Sequence, residues 1–289
     1  MTGNWGRWGE RDERGTLNLV DETVVRAAVG TVRQGRVLSL AQPLGPDTSV
    51  PPHRRPPQRF MGRDAGDYAA GARSPDGFRF AEDTVLLGTH TGTHVDALAH
   101  TWTGDHLYNG HPASSVRSTR GAGHCGAERL GPVVTRGLLL DLVDHRGAPL
   151  EASSPVGAEE LAEVCDRAGA QPGPGDAVLL RTGWWERHQG TEAYHDHEPG
   201  LSDEGARWLA ERDVALVGAD NYAVEVQPSP AGSTFPVHLR LLHRHGTPLV
   251  ENLDLAELAA SGAVTFLFVA APLPLRGSTA SPLNPVTVL

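Results

Sequence analysis

The 289-residue sequence contains no lysine and no isoleucine, and its 25 basic residues are all arginine. Without lysine the chain can form no Schiff base, no P-loop contact to a triphosphate and no Ser–Lys dyad. Cysteine is nearly absent: there are only Cys125 and Cys165. Two cysteines exclude a disulfide framework and a thiolate zinc knuckle, and they read as reduced thiols. Long apolar runs are missing as well. The most apolar stretch, 263–275, holds Pro272 and Pro274 and is too short to span a bilayer. The opening MTGNWGRWGERDERG is polar and charged, with no apolar h-region, so no signal peptide is expected. Positive charge is in deficit, with 35 acidic residues and a net charge of −10. That balance lacks the basic face that nucleic acid or an anionic membrane requires. No G-x-S-x-G elbow, G-x-G-x-x-G fingerprint or Walker sequence occurs, so serine-hydrolase and dinucleotide readings lack their signals. A cytoplasmic protein acting on a small molecule is expected.

What is present is an alternation of strand-like and helix-like segments. Short apolar runs at 83–88, 137–143, 177–182, 214–218 and 264–270 have strand length. Segments 155–168, 202–212, 235–245 and 254–260 read as helices. Ser202 is placed to cap the second, with Asp203 and Glu204 in its first turn. Pro236 stands near the start of the third and Gly246 just beyond its end. Residues 41–80 are rich in Pro, Gly and Arg, and PPHRRPPQR suits neither a central strand nor a helix. They read as a long surface loop and candidate lid. No linker or repeat interrupts the pattern, so a mixed α/β chain with one domain over 1–289 is expected.

Chemistry concentrates in HTGTHVDALAH, which carries His90, His94, Asp96 and His100. Thr91, Gly92, Thr93 and Val95 disfavour helix. On a strand, residues 90, 92, 94 and 96 would share one face, with Gly92 leaving room for an ion between the imidazoles. Two imidazoles and one carboxylate on a strand face make a plausible N₂O metal site with an open position. Trp102, Trp184, Trp185 and Tyr222 could line an aromatic substrate pocket, and Arg181 or Arg276 could anchor a carboxylate. Asp220 follows a strand, where functional side chains often sit. His195, Asp196 and His197 lie in a polar loop without supporting structure and are set aside.

HTGTHVDALAH resembles the signature H-x-G-T-H-x-D-x-x-x-H of the cyclase family, the superfamily that includes bacterial kynurenine formamidases and isatin hydrolases. The resemblance extends through WGERDERGTLNLV, HTWTGDHLYNG, GLLLDLV, GDAVLLRTGW, VALVGADNYAVEV, FPVHLRLLHRHGTPLVENLDL and RGSTASPLNP. It implies a swivelling β/β/α fold and a homodimer or homotetramer. By the same resemblance His90, His94 and Asp96 are metal ligands and His100 is the catalytic histidine. His238 and Glu251 complete a second metal position that shares the aspartate. The implied activity is metal-dependent hydrolysis of an amide, N-formyl or lactone-type bond in a small cyclic or aromatic molecule, with a metal-activated water as nucleophile. One or two zinc or manganese ions fit the donor set. Two other readings use the same residues: a biosynthetic cyclase or dehydratase, and a metal-binding protein without catalysis.

Overall fold

Apolar residues of consecutive central strands fall alternately on two faces, and both faces are covered. The computed structural model describes residues 3–289. Its main sheet has nine strands: β1 (Val37–Ser39), β2 (His94–Asp96), β3 (Val133–Asp141), β4 (Ala177–Arg181), β5 (Leu216–Ala219), β6 (Leu249–Glu251), β7 (Thr265–Ala270), β8 (Ala280–Pro282) and β9 (Val286–Val288). Their spatial order is β1-β9-β7-β3-β4-β5-β6-β2-β8. β3, β4, β5 and β6 run parallel, and the strands flanking them pair antiparallel. Parallel strands are buried on both faces and therefore read as unbroken apolar runs, as in GLLL and AVLL.

On one face Leu138, Leu140, Val178, Leu180 and Val217 pack with Leu161 and Val164 of the helix Ala158–Ala168 and Leu209 of the helix Asp203–Ala210. On the other, Leu139, Leu179, Leu216, Phe266 and Phe268 pack with Leu17, Leu40 and Leu258. Each fully buried leucine contributes roughly 1.5–3 kcal/mol relative to exposure. Ser202 caps Asp203–Ala210, accepting from the Gly205 N–H at 3.1 Å. Pro236–His238 is helical and runs into a π-helix, Leu239–His245, which Gly246 ends at φ 65°.

The expected loop at 41–80 is only partly irregular. Gln58–Arg63 pairs antiparallel with Glu82–Leu86, and Ala65–Ala69 forms a short helix behind a capping box of Asp64 and Asp67. The run expected as a strand at 83–88 therefore belongs to a separate two-stranded hairpin, not to the main sheet. Its strands are exposed along nearly their whole length, and Phe60, Val85 and Leu86 are each more than half exposed.

Candidate metal centre and active site

The site forms where β2 meets β6. Their antiparallel register sets Glu251 opposite His94. Cross-strand partners share a face, and so do residues two apart on one strand. His94, Asp96 and Glu251 are therefore gathered by sheet geometry alone. His94 Nε2 lies 3.2 Å from Glu251 Oε2 and 3.5 Å from Asp96 Oδ1. His90 arrives from the preceding turn, its Nε2 3.4 Å from Asp96 Oδ1. His238, in the Pro236–His238 turn, brings Nε2 to 3.3 Å from Glu251 Oε1 and 3.7 Å from Asp96 Oδ2. The His100 ring packs against His90, with centroids 4.2 Å apart.

The strand expected over 90–96 is shorter than the spacing suggested. Only His94–Asp96 is strand, and Gly92 sits in a bend at φ 60°. A Cβ there would lie 2.3 Å from Leu44 Cδ2, not beside an ion. Glycine is required by the left-handed backbone and the approach of Leu44. The bend has a separate effect on the ligand set. The Gly92 carbonyl accepts from His94 Nδ1 at 2.8 Å and from Asn252 Nδ2 at 3.0 Å. That bond fixes the His94 tautomer and leaves Nε2 free for the site. Glu225 does the same for His238, with Oε1 2.5 Å from Nδ1, and it also accepts from the Val237 and His238 backbone N–H groups.

These groups are deeply buried, yet His90 Nε2, His94 Nε2 and both Asp96 oxygens have no hydrogen-bond partner. Buried polar atoms left unpaired are costly unless a ligand or ion satisfies them. Two sets of donor atoms lie mutually within 4.8 Å, His90–Asp96–His100 and His94–Asp96–Glu251, and they share the aspartate. Imidazole and carboxylate donors in this number fit a divalent transition ion.

The local electrostatics agree with that fit. Burial is the main influence on His90 and pushes it down to about 3; it also lowers His100. Burial lowers His94 too, but contacts to Asp96 and Glu251 outweigh it and push the ring up to about 9. In His238 burial is likewise outweighed, by Glu225 and Glu251, giving about 10. Burial would raise Asp96, yet the imidazoles around it, His100 foremost, hold it well below the usual carboxylate range. The carboxylates thus draw protons onto the imidazoles that face them. A bound cation would take the place of those protons.

A cleft of about 480 Å³ opens onto this cluster, lined by His100, Trp102, Tyr222, Phe235, His238 and Arg54 among others. Trp102 and Tyr222 thus both line this cleft. Arg181 and Trp184 do not. Arg181 is held by Asp141 and Glu186 at 2.8–3.1 Å, and Trp184 is buried, donating from Nε1 to the Tyr194 carbonyl at 2.9 Å. Arg276 is exposed and outside the cleft. Asp220 ties β4 to β5 by accepting from Thr182 N, Thr182 Oγ1 and Gly183 N. Glu225 and Arg54 were missed. The only local signal for Glu225 was an acid set between two valines.

Comparison with known proteins places these features in a family. The Cyclase family model matches residues 38–226. Isatin hydrolase of Roseibium aggregatum is 26% identical over 227 residues, covering 74% of this chain and 77% of that protein. Kynurenine formamidase of Bordetella pertussis is 26% identical over 202 residues, covering 70% and 78%. A crystal structure of a novel cyclase superposes with a TM-score of 0.93 at 32% identity, covering 100% of both chains. With the family model spanning more than half of its length, the chain belongs to the cyclase family.

Proposed function

We propose that the protein is a metal-dependent hydrolase that cleaves an amide, N-formyl or lactone-type bond in a small cyclic or aromatic molecule. The observation that carries this reading is the convergence of unpartnered buried donors on Asp96, beside an aromatic-lined cleft that His100, His238 and Glu251 of the same cluster line. His90, His94, Asp96, His238 and Glu251 would hold one or two ions around Asp96, on which both groups of close donor atoms centre. Zinc and manganese both suit these donors. When bound, a divalent ion supplies Lewis acidity to the carbonyl and lowers the pKa of a water. The names of the relatives, an isatin hydrolase and a kynurenine formamidase, support cleavage of a C–N bond.

The chain's own residues supply the rest. His100 lines the cleft beside His90, and burial keeps its imidazole neutral near pH 7. A neutral imidazole can accept a proton from the attacking water and return it to the leaving nitrogen or oxygen. Glu225 and the Gly92 carbonyl hold His238 and His94 in one tautomer. Trp102, Tyr222 and Phe235 offer flat apolar walls that orient a ring and exclude water.

The exposed apolar hairpin favours self-association, because an isolated two-stranded unit is marginal in water and exposed apolar patches mark interfaces. A homodimer or homotetramer is what the family resemblance implies, and we keep it as a proposal that the exposed hairpin supports. Two unpaired thiols suit a reducing compartment such as the cytoplasm. Among the described residues no helix is long and apolar enough to cross a membrane. The test is a turnover screen of zinc- and manganese-loaded protein against N-formylkynurenine, isatin, aryl formamides and simple lactones. Hydrolysis of one of these, lost on chelation, is expected; binding of metal with no turnover of any would favour the non-catalytic reading.

A further inference from the structure

The cleft contains a guanidinium that the metal centre does not use. Arg54, on the proline-rich segment 51–57, lines the cleft with His100, Tyr222 and Glu251. It is half-buried, and its NH1 donates to the His90 carbonyl. Its Cζ lies 5.5 Å from the centroid of the Tyr222 ring. Arg136, Arg146, Arg181 and Arg240 each grip a carboxylate with two nitrogens, whereas Arg54 makes no ion pair with any described carboxylate. A guanidinium has five N–H donors in a planar fork suited to a carboxylate. Here one nitrogen is spent on a backbone carbonyl and the fork borders an open cleft.

We propose that Arg54 anchors a carboxylate of the substrate, so that the enzyme acts on aromatic or cyclic acids carrying an anionic group apart from the bond being cleaved. The inference rests on the hydrolase reading above and narrows its substrate class. The arrangement explains itself physically. Contact with the Tyr222 face and the His90 carbonyl holds the guanidinium in place, so little of its freedom remains to be lost on binding. A ring packed on Tyr222 would then have its anion at Arg54 and its scissile carbonyl towards Asp96 and His100. A half-buried cation without a counter-ion is costly, and a substrate anion would offset that cost.

Paired inhibitors test this on the metal-loaded protein. Benzohydroxamate and its three carboxylated ring isomers share a metal-binding head and differ only in the anion. Titration calorimetry should show one isomer binding about 10- to 100-fold more tightly than benzohydroxamate, the worth of hydrogen bonds to a charged group. Arg54→Gln should remove that preference, so that the favoured isomer and benzohydroxamate bind the variant alike. Equal affinities across the series, a preference that survives Arg54→Gln, equal weakening of all probes, or binding of none would each overturn the anchor. Formanilide and its carboxylated isomers, assayed for hydrolysis alongside, separate the two readings. Arg54-dependent preference without hydrolysis of any formanilide or lactone would keep the anchor and sink the hydrolase. Hydrolysis with no carboxylate preference would do the reverse.

Discussion

Glu225 Oε1 lies 2.5 Å from His238 Nδ1, and both residues are buried. The carboxylate holds an imidazole whose other nitrogen faces Asp96 and Glu251. Partners of this kind fix the tautomer of a ligating histidine, and their loss typically lowers metal affinity about 10- to 100-fold. Glu225→Gln keeps the size of the side chain but sets an amide N–H₂ where the carboxylate now accepts from backbone N–H groups. Competition with a chelator should show weaker metal binding in that variant. Parent affinity would mean that His238 needs no such support.

His94 stands at the centre of the donor set, 3.2 Å from Glu251 and 3.5 Å from Asp96. His94→Ala removes a ligand outright and should cost more metal affinity than the Glu225 variant. Elemental analysis after dialysis checks this; stoichiometric metal in His94→Ala would place the site elsewhere.

Gly92→Ala should destabilise the fold. At φ 60° an L-residue costs roughly 1–2 kcal/mol, and the new Cβ would press on Leu44. Thermal unfolding should show a lower Tm. Adding Leu44→Ala should restore only part of the loss, since the backbone conformation is unchanged. An unaltered Tm in the single variant would contradict the bend.

Arg181→Ala should leave KM unchanged and lower Tm, because the guanidinium binds Asp141 and Glu186 and does not line the cleft. A raised KM with unchanged Tm would restore the substrate role suggested by its type and place in the sequence.

How far these features were legible depends on the range of the interactions behind them. His90, His94, Asp96 and His100 lie within eleven residues, so one glance at spacing gathers them. The central strands were legible because burial on both faces leaves unbroken apolar runs. The three-residue strands β1, β8 and β9 are too short to show a period. The helix Glu22–Val29 has a readable cap, Asp21, which accepts from Thr23 and Val24 N–H, yet its apolar face alone did not stand out. Gly92 was placed on the right segment for the wrong reason, because the backbone turns where alternation predicts extension. Glu225 and Arg54 act on residues 13 and 36 positions away. No local pattern encodes contacts of that kind.

His100→Asn tests whether the cluster is catalytic as well as metal-binding. If His100 moves the proton, the variant should keep its metal and its Tm and lose about 10²–10⁴-fold in kcat. Loss of metal together with turnover would instead make His100 a ligand, a role the geometry of His90, Asp96 and His100 also allows.

The central claim is a metal-dependent hydrolase organised around Asp96, and the most direct measurement couples metal content to turnover in one preparation. The purified protein is analysed for bound elements and assayed on the substrate found by the screen. It is then stripped with a chelator, assayed again, and reloaded. The account predicts stoichiometric divalent transition metal, activity lost on stripping and restored on reloading, and neither metal nor activity in Asp96→Ala. Full turnover by the stripped protein, or metal and turnover retained in Asp96→Ala, would contradict it.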